Sequence, residues 1–94
     1  MHLLAMEVDL HIPESRSLKA KRSVVKSIVE AARHRYGVAA AEVGFQDQWQ
    51  RASLGFAAVG SEAAHVIDVI DEVERFVWSH PEIEVLSVER KWLE

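Results

Sequence analysis

The sequence predicts an α+β fold in which two helices lie on one face of a four-stranded antiparallel sheet. Three observations carry this expectation. Residues alternate with a period of two over 4–12, 38–45 and 49–58. Apolar residues recur at helical spacing over 18–36 and 63–77. The segments between these stretches are short, with no linker, repeat or low-complexity tract. The chain has 94 residues, 49% hydrophobic and 28% charged, which suits a single globular domain over 1–94.

Strand one places Leu4, Met6, Val8, Leu10 and Ile12 on one face, against Ala5, Glu7, Asp9 and His11 on the other. Pro13 ends it. Ser15 or Ser17 can cap helix one, whose apolar stripe is Leu18, Val25, Ile28, Val29, Ala32 and Tyr36, and Gly37 sits at its C-cap. Strand two alternates Ala39, Ala41, Val43 and Phe45 against Ala40, Glu42 and Gly44. Gln46-Asp47-Gln48 is the expected turn. Strand three sets Ala52, Leu54, Phe56 and Ala58 against Trp49, Arg51, Ser53 and Gly55. Ser61 is the expected cap of helix two, with its stripe of Ala63, Val66, Ile67, Ile70, Val73 and Val77, and His80-Pro81 stops that helix. Ile83 to Leu93 reads as a last strand whose phase slips between Val85 and Leu86, the mark of a bulge. The order β-α-β-β-α-β, with two β-α-β units, is that of the ferredoxin-like plait.

Composition removes several functions. No cysteine is present, so a disulfide framework, a thiol nucleophile and a thiolate metal site are excluded. The formal charge of −4 argues against a globally basic nucleic-acid binder. No apolar run reaches membrane-spanning length. The segment MHLLAMEVDLHIP lacks the basic start and small-residue cleavage site of a signal peptide, which points to a cytoplasmic protein. His2, His11, His34, His65 and His80 include no pair spaced to share a helix turn, and zinc needs three or four converging ligands. Glu7 and Asp9 are neighbours on the outward face of strand one, and a charge pair with Arg51 explains them better than acid–base catalysis. No nucleotide-binding glycine loop or nucleophile elbow occurs. Catalytic residues, metal and cofactors are all expected to be absent.

Charge is unevenly placed. From Arg16 to Arg35 seven basic residues face one acid, Glu30, whereas from Glu62 to Arg75 five acids face one base. At about 100° per residue Lys19, Arg22, Lys26 and Arg33 fall within roughly 60° of one another, beside the apolar stripe, with Lys21 nearer the apolar side. Basic residues in a first helical turn oppose the helix dipole, so an anionic partner is one reason for them. The other reading is a solvated face, turned towards the acidic helix two. Gln46, Asp47, Trp49, Gln50 and Arg51 form a second candidate, an interaction edge at the hairpin tip, since Trp and Arg are enriched in interface hot spots. A purely structural turn explains them equally well. Trp92 is expected to cover the open face of the sheet or to sit in a dimer contact.

Three runs have a family likeness: His11-Ile12-Pro13, Ser17-Leu18-Lys19-Ala20-Lys21-Arg22, and Val25-Lys26-Ser27. With Ala41-Glu42-Val43, Gln46-Asp47, Trp49-Gln50-Arg51-Ala52, Leu54-Gly55, Arg75-Phe76 and Glu89-Arg90, they make the chain resemble the YlxP-like family of small bacterial proteins of unknown function. The resemblance spans nearly the whole chain and implies a ferredoxin-like fold. Members are typically encoded beside translation-initiation and ribosome-maturation genes, which implies a ribosome-linked role. Ala20 and Lys91 depart from the pattern, since an acidic residue is common at both, and each makes this chain locally more basic.

The combined expectation is a small non-enzymatic binding module. Its leading partner is ribosomal RNA or a ribosomal particle, held by Lys19, Lys21, Arg22, Lys26 and Arg33. The alternative is a protein-interaction or homo-oligomerisation module that uses the open sheet face and the Trp49 hairpin.

Overall fold

The computed structural model describes residues 1–94. The elements run β1 (His2–His11), α1 (Leu18–Tyr36), β2 (Ala39–Gly44), β3 (Arg51–Gly60), α2 (Ala63–Trp78) and β4 (Glu84–Trp92). The strands form one antiparallel sheet in the order β2-β3-β1-β4, which is the ferredoxin-like plait. β1 is central. It pairs with β3 from His2↔Gly60 to His11↔Arg51 and with β4 from Leu4↔Trp92 to His11↔Glu84.

Leu4, Met6, Val8 and Leu10 of β1 meet Ala52, Leu54, Phe56 and Ala58 of β3 on the helix side, as the alternation requires, and Ser53 is buried on the other face beside Glu7. Val25, Ile28, Val29 and Ala32 of α1, and Val66, Ile70, Val73 and Val77 of α2, close over them in a single core of twenty residues. The other sheet face carries no helix. β4 contains the expected bulge, since Asp9 faces Ser87 and Leu10 faces Val85, leaving Leu86 unpaired.

Ser17 caps α1, its Oγ accepting the Ala20 N–H at 3.0 Å, and Gly37 closes the helix with φ 63°, a conformation glycine adopts without steric cost. At α2 the expected cap moves. Glu62, not Ser61, is the N-cap residue, and no side chain satisfies the first amides. β3 starts at Arg51, so Trp49 lies in the connection rather than on the strand.

β2 runs in the opposite phase to that suggested by its apolar positions. Ala40 is buried and Glu42 half-buried on the helix side, while Ala39, Ala41 and Val43 lie on the open side. A bulge between Glu42 and Gly44 brings Val43 over Gly55, where an added Cβ would meet a valine methyl at 3.0 Å, so the glycine admits the close approach.

The two caps predict different responses. Ser17→Ala is expected to cost about 1 kcal/mol of stability, whereas Ser61→Ala should change it little. Urea denaturation of both variants checks this, and equal losses would contradict it.

Candidate nucleic-acid interface

Lys21 lies inside the molecule. It is fully buried, within the stripe formed by Val25, Ile28 and Ala32. Its Nζ donates to the carbonyls of Phe45 at 2.8 Å, Gln46 at 3.0 Å and Arg51 at 3.3 Å, one for each N–H of the ammonium. Glu42 Oε2 stands 2.9 Å away, outside hydrogen-bonding geometry, and supplies the countercharge. Lys21 is therefore removed from the candidate phosphate contacts, because reaching a ligand would strand Glu42 beside an apolar core. Its position nearest the apolar side of the helical wheel was the signal, and Glu42, the one acid of β2, was its partner.

The same ammonium organises the 45–51 hairpin. Phe45 has φ 60°, uncommon for an aromatic residue, and its carbonyl is the shortest of the three contacts. Arg51 stacks over the Phe45 ring at 4.4 Å and reaches Asp9 at 4.0 Å, the cross-strand pair expected on the open face. Gln50 Nε2 donates to the carbonyls of Pro13 and Ser15, and the Gln50 carbonyl accepts from the Ile12 amide. The Gln46 backbone carbonyl and the Gln50 and Arg51 side chains thus serve the fold, while the Gln46 side chain is exposed and unbonded. Asp47 and Trp49 are exposed, Trp49 at 56%, and no side-chain hydrogen bond holds either.

Arg33 is also engaged. Its Nε and Nη2 donate to the Ala40 carbonyl at 3.1 and 2.7 Å, pinning α1 to β2. This fixes the basic stripe on the β2 side of α1. Lys19, Arg22 and Lys26 remain, all exposed, with no ion-pair or hydrogen-bond partner, and the first turn of α1 contains no acid.

The acids of α2 do not turn to them. Asp71 and Glu74 bind Arg90 of β4 at 2.8 and 3.0 Å, and Glu72 takes Arg75. Partial burial works against the Arg90 charge, but hydrogen bonds to Asp71 and Glu74 outweigh it and raise the guanidinium above its ordinary value. The two helices meet instead through Arg35, over the rings of Tyr36 and Phe76.

The open face is nearly free of aromatic rings. Trp92 pairs with Leu4, which puts it on the helix side, edge-on to His2 at 6.2 Å, and corrects the expectation that it covers the open face. Ala5, Ala39, Ala41, Val43, Gly55 and Ala57 floor a shallow depression of about 740 Å³ rimmed by Glu7, Glu89 and Lys91. Glu7 accepts the Ser53 hydroxyl at 2.8 Å. No three His, Asp or Glu side chains converge as a metal set would.

Residues 3–90 match the family described as Protein of unknown function (DUF503). The chain is 37% identical over 86 residues to the uncharacterized protein YlxP of Bacillus subtilis (strain 168), covering 92% of this chain and 94% of that protein.

Removing one member of the buried pair leaves the other uncompensated. Lys21→Met is expected to destabilise the fold by roughly 3–5 kcal/mol, and Lys21→Met with Glu42→Leu to recover part of that loss. Chemical denaturation measures both, and a loss below about 1 kcal/mol for the single variant would contradict the assignment.

Proposed function

Since this chain belongs to the DUF503 family of proteins of unknown function, we propose that it is a non-enzymatic module that holds structured RNA against the outer face of α1. The ribosome-linked setting implied by the family resemblance makes ribosomal RNA or a ribosomal particle the partner, in the cytoplasm. The observation that carries the reading is the set Lys19, Arg22 and Lys26: three exposed cations on one helix face, none of them paired within the protein. Acids three or four residues away can stabilise surface cations on a helix, and cations at a helix start oppose the dipole. Here Glu30, four residues after Lys26, forms no ion pair with it, and Lys19 and Arg22 have no such acid. A row of phosphates supplies the missing counterion. The whole chain carries −4, so attraction has to be local and directional rather than general.

Three phosphate contacts give a slope of roughly −2 to −3 in log K against log salt. Binding through backbone phosphates positions the protein on a folded RNA without reading its bases, in keeping with a sheet that lacks a stacking platform. No helix is long and apolar enough to cross a membrane.

Changing Lys19, Arg22 and Lys26 together to Glu should weaken co-sedimentation with ribosomal particles by more than tenfold at low salt and flatten the slope. Thermal melting should stay near that of the parent, because all three side chains are exposed. Equal binding by the triple variant and the parent across a salt series would refute the reading.

A further inference from the structure

The open sheet face poses a separate question. Its register places Ala5, Ala57, Ala39 and Lys91 in one row across the strands, and Glu7, Gly55, Ala41 and Glu89 in the next. Glu7 and Glu89 are directly opposite, a like-charge pair that disfavours the isolated sheet, and neither has an ion-pair partner. Lys91, on the same face one row away, is unpaired as well. The remainder of both rows is alanine and glycine, and the one larger side chain over them is Val43, which lies against Gly55.

We propose that a second copy of this chain covers the open face, with the two sheets packed face to face about a two-fold axis that crosses the strands between these rows. The operation lays each row on the other row of the partner. Lys91 then meets Glu89 of the partner subunit twice, once for each copy, and brings a cation to the Glu7–Glu89 pair. Ala39 lies over Ala41, Ala57 over Gly55 with its neighbour Val43, and Ala5 over Glu7, a floor of mostly small residues that suits the spacing of about 10 Å between packed sheets. Strands of opposite direction remain nearly aligned, one of the two modes of sheet packing.

The size is sufficient. Strands of ten, ten, nine and six residues, at about 3.3 Å per residue and about 4.8 Å apart, give a face of about 550 Å². A pair of faces hides about 1,100 Å², just above the roughly 1,000 Å² that a specific interface should clear, so a dimer of moderate strength is expected. The basic stripe of α1 belongs to the opposite side of the sheet and stays free, so dimerisation and RNA binding are independent claims.

Sedimentation equilibrium of the parent, K91E and the double variant E89K/K91E tests the proposal, with circular dichroism melts as the folding control. The parent should be a dimer in the micromolar range. K91E sets Glu against Glu89 at both symmetric positions and should weaken the dimer about tenfold or more. E89K/K91E exchanges the charges across the axis and should restore it to within about threefold of the parent. A parent that stays monomeric at about 0.5 mM, a K91E dimer of unchanged strength, or a double variant no stronger than K91E would overturn the proposal. Should K91E lose its fold, A41K addresses the same face, because Ala41 is exposed in the monomer and covered in the dimer. Unchanged dimerisation of A41K would likewise overturn it.

Discussion

The hairpin between β2 and β3 is held by a buried ammonium. Lys21 reaches from the second turn of α1 to three carbonyls spread over residues 45–51, and Glu42 balances its charge. One side chain therefore sets where α1 lies on the sheet, which way β2 turns, and how an aromatic residue comes to hold a left-handed backbone. A buried ion pair is a poor source of net stability compared with apolar packing, but it tolerates few alternative arrangements. Here it specifies. The half-buried Glu42 fixes the phase of β2, and that phase sends Ala39, Ala41 and Val43 to the uncovered side of the sheet.

This choice divides the surface. Cations of α1 that have no role in the fold, namely Lys19, Arg22 and Lys26, line the side near β2. Those with a structural role are consumed: Lys21 in the hairpin, Arg33 on the Ala40 carbonyl, Arg35 over the Tyr36 and Phe76 rings. The acids of α2 are partly spent on Arg90 and Arg75. What remains is a positive strip on a negative molecule, with a bare apolar floor on the far side of the sheet. Arg33 also occupies a carbonyl of the outermost strand, one of the ways proteins discourage strand addition at a sheet edge.

Much of the fold was legible because it follows from periodicity. The strict alternation of Leu4 to Leu10, the Ser17 and Gly37 caps, and the phase slip at Leu86 each have a local physical cause that the sequence displays. Misreadings arose where a long-range polar contact overrode a local rule. For β2 the alternation named two faces without saying which is inner, and Glu42, meeting Lys21 twenty-one positions away, decides it by turning the more apolar side outward. Lys21 read as a phosphate contact because charge normally means exposure, and only its three carbonyl partners reveal otherwise. Ser61 lost its cap to a helix that begins one residue later than its hydroxyl can serve. The pair of Arg51 with Asp9 was readable, since neighbouring strands in a known order leave little choice of partner.

The central place of β1 has a consequence for how the chain acquires its structure. Its first residues bond to the last: the Leu3 amide donates to the Glu94 carbonyl, and the Leu93 amide to the Leu3 carbonyl. Both neighbours of β1 come later in the sequence, and β4 comes last of all. A chain emerging during synthesis therefore carries its central strand unpaired until β3 appears, and one flank of it open until β4 follows. Closing those contacts spans most of the polypeptide, which slows the search and prolongs the exposure of a sticky edge. The local order of α1, stabilised at both ends by its caps, is available throughout that interval as the surface on which the strands collect.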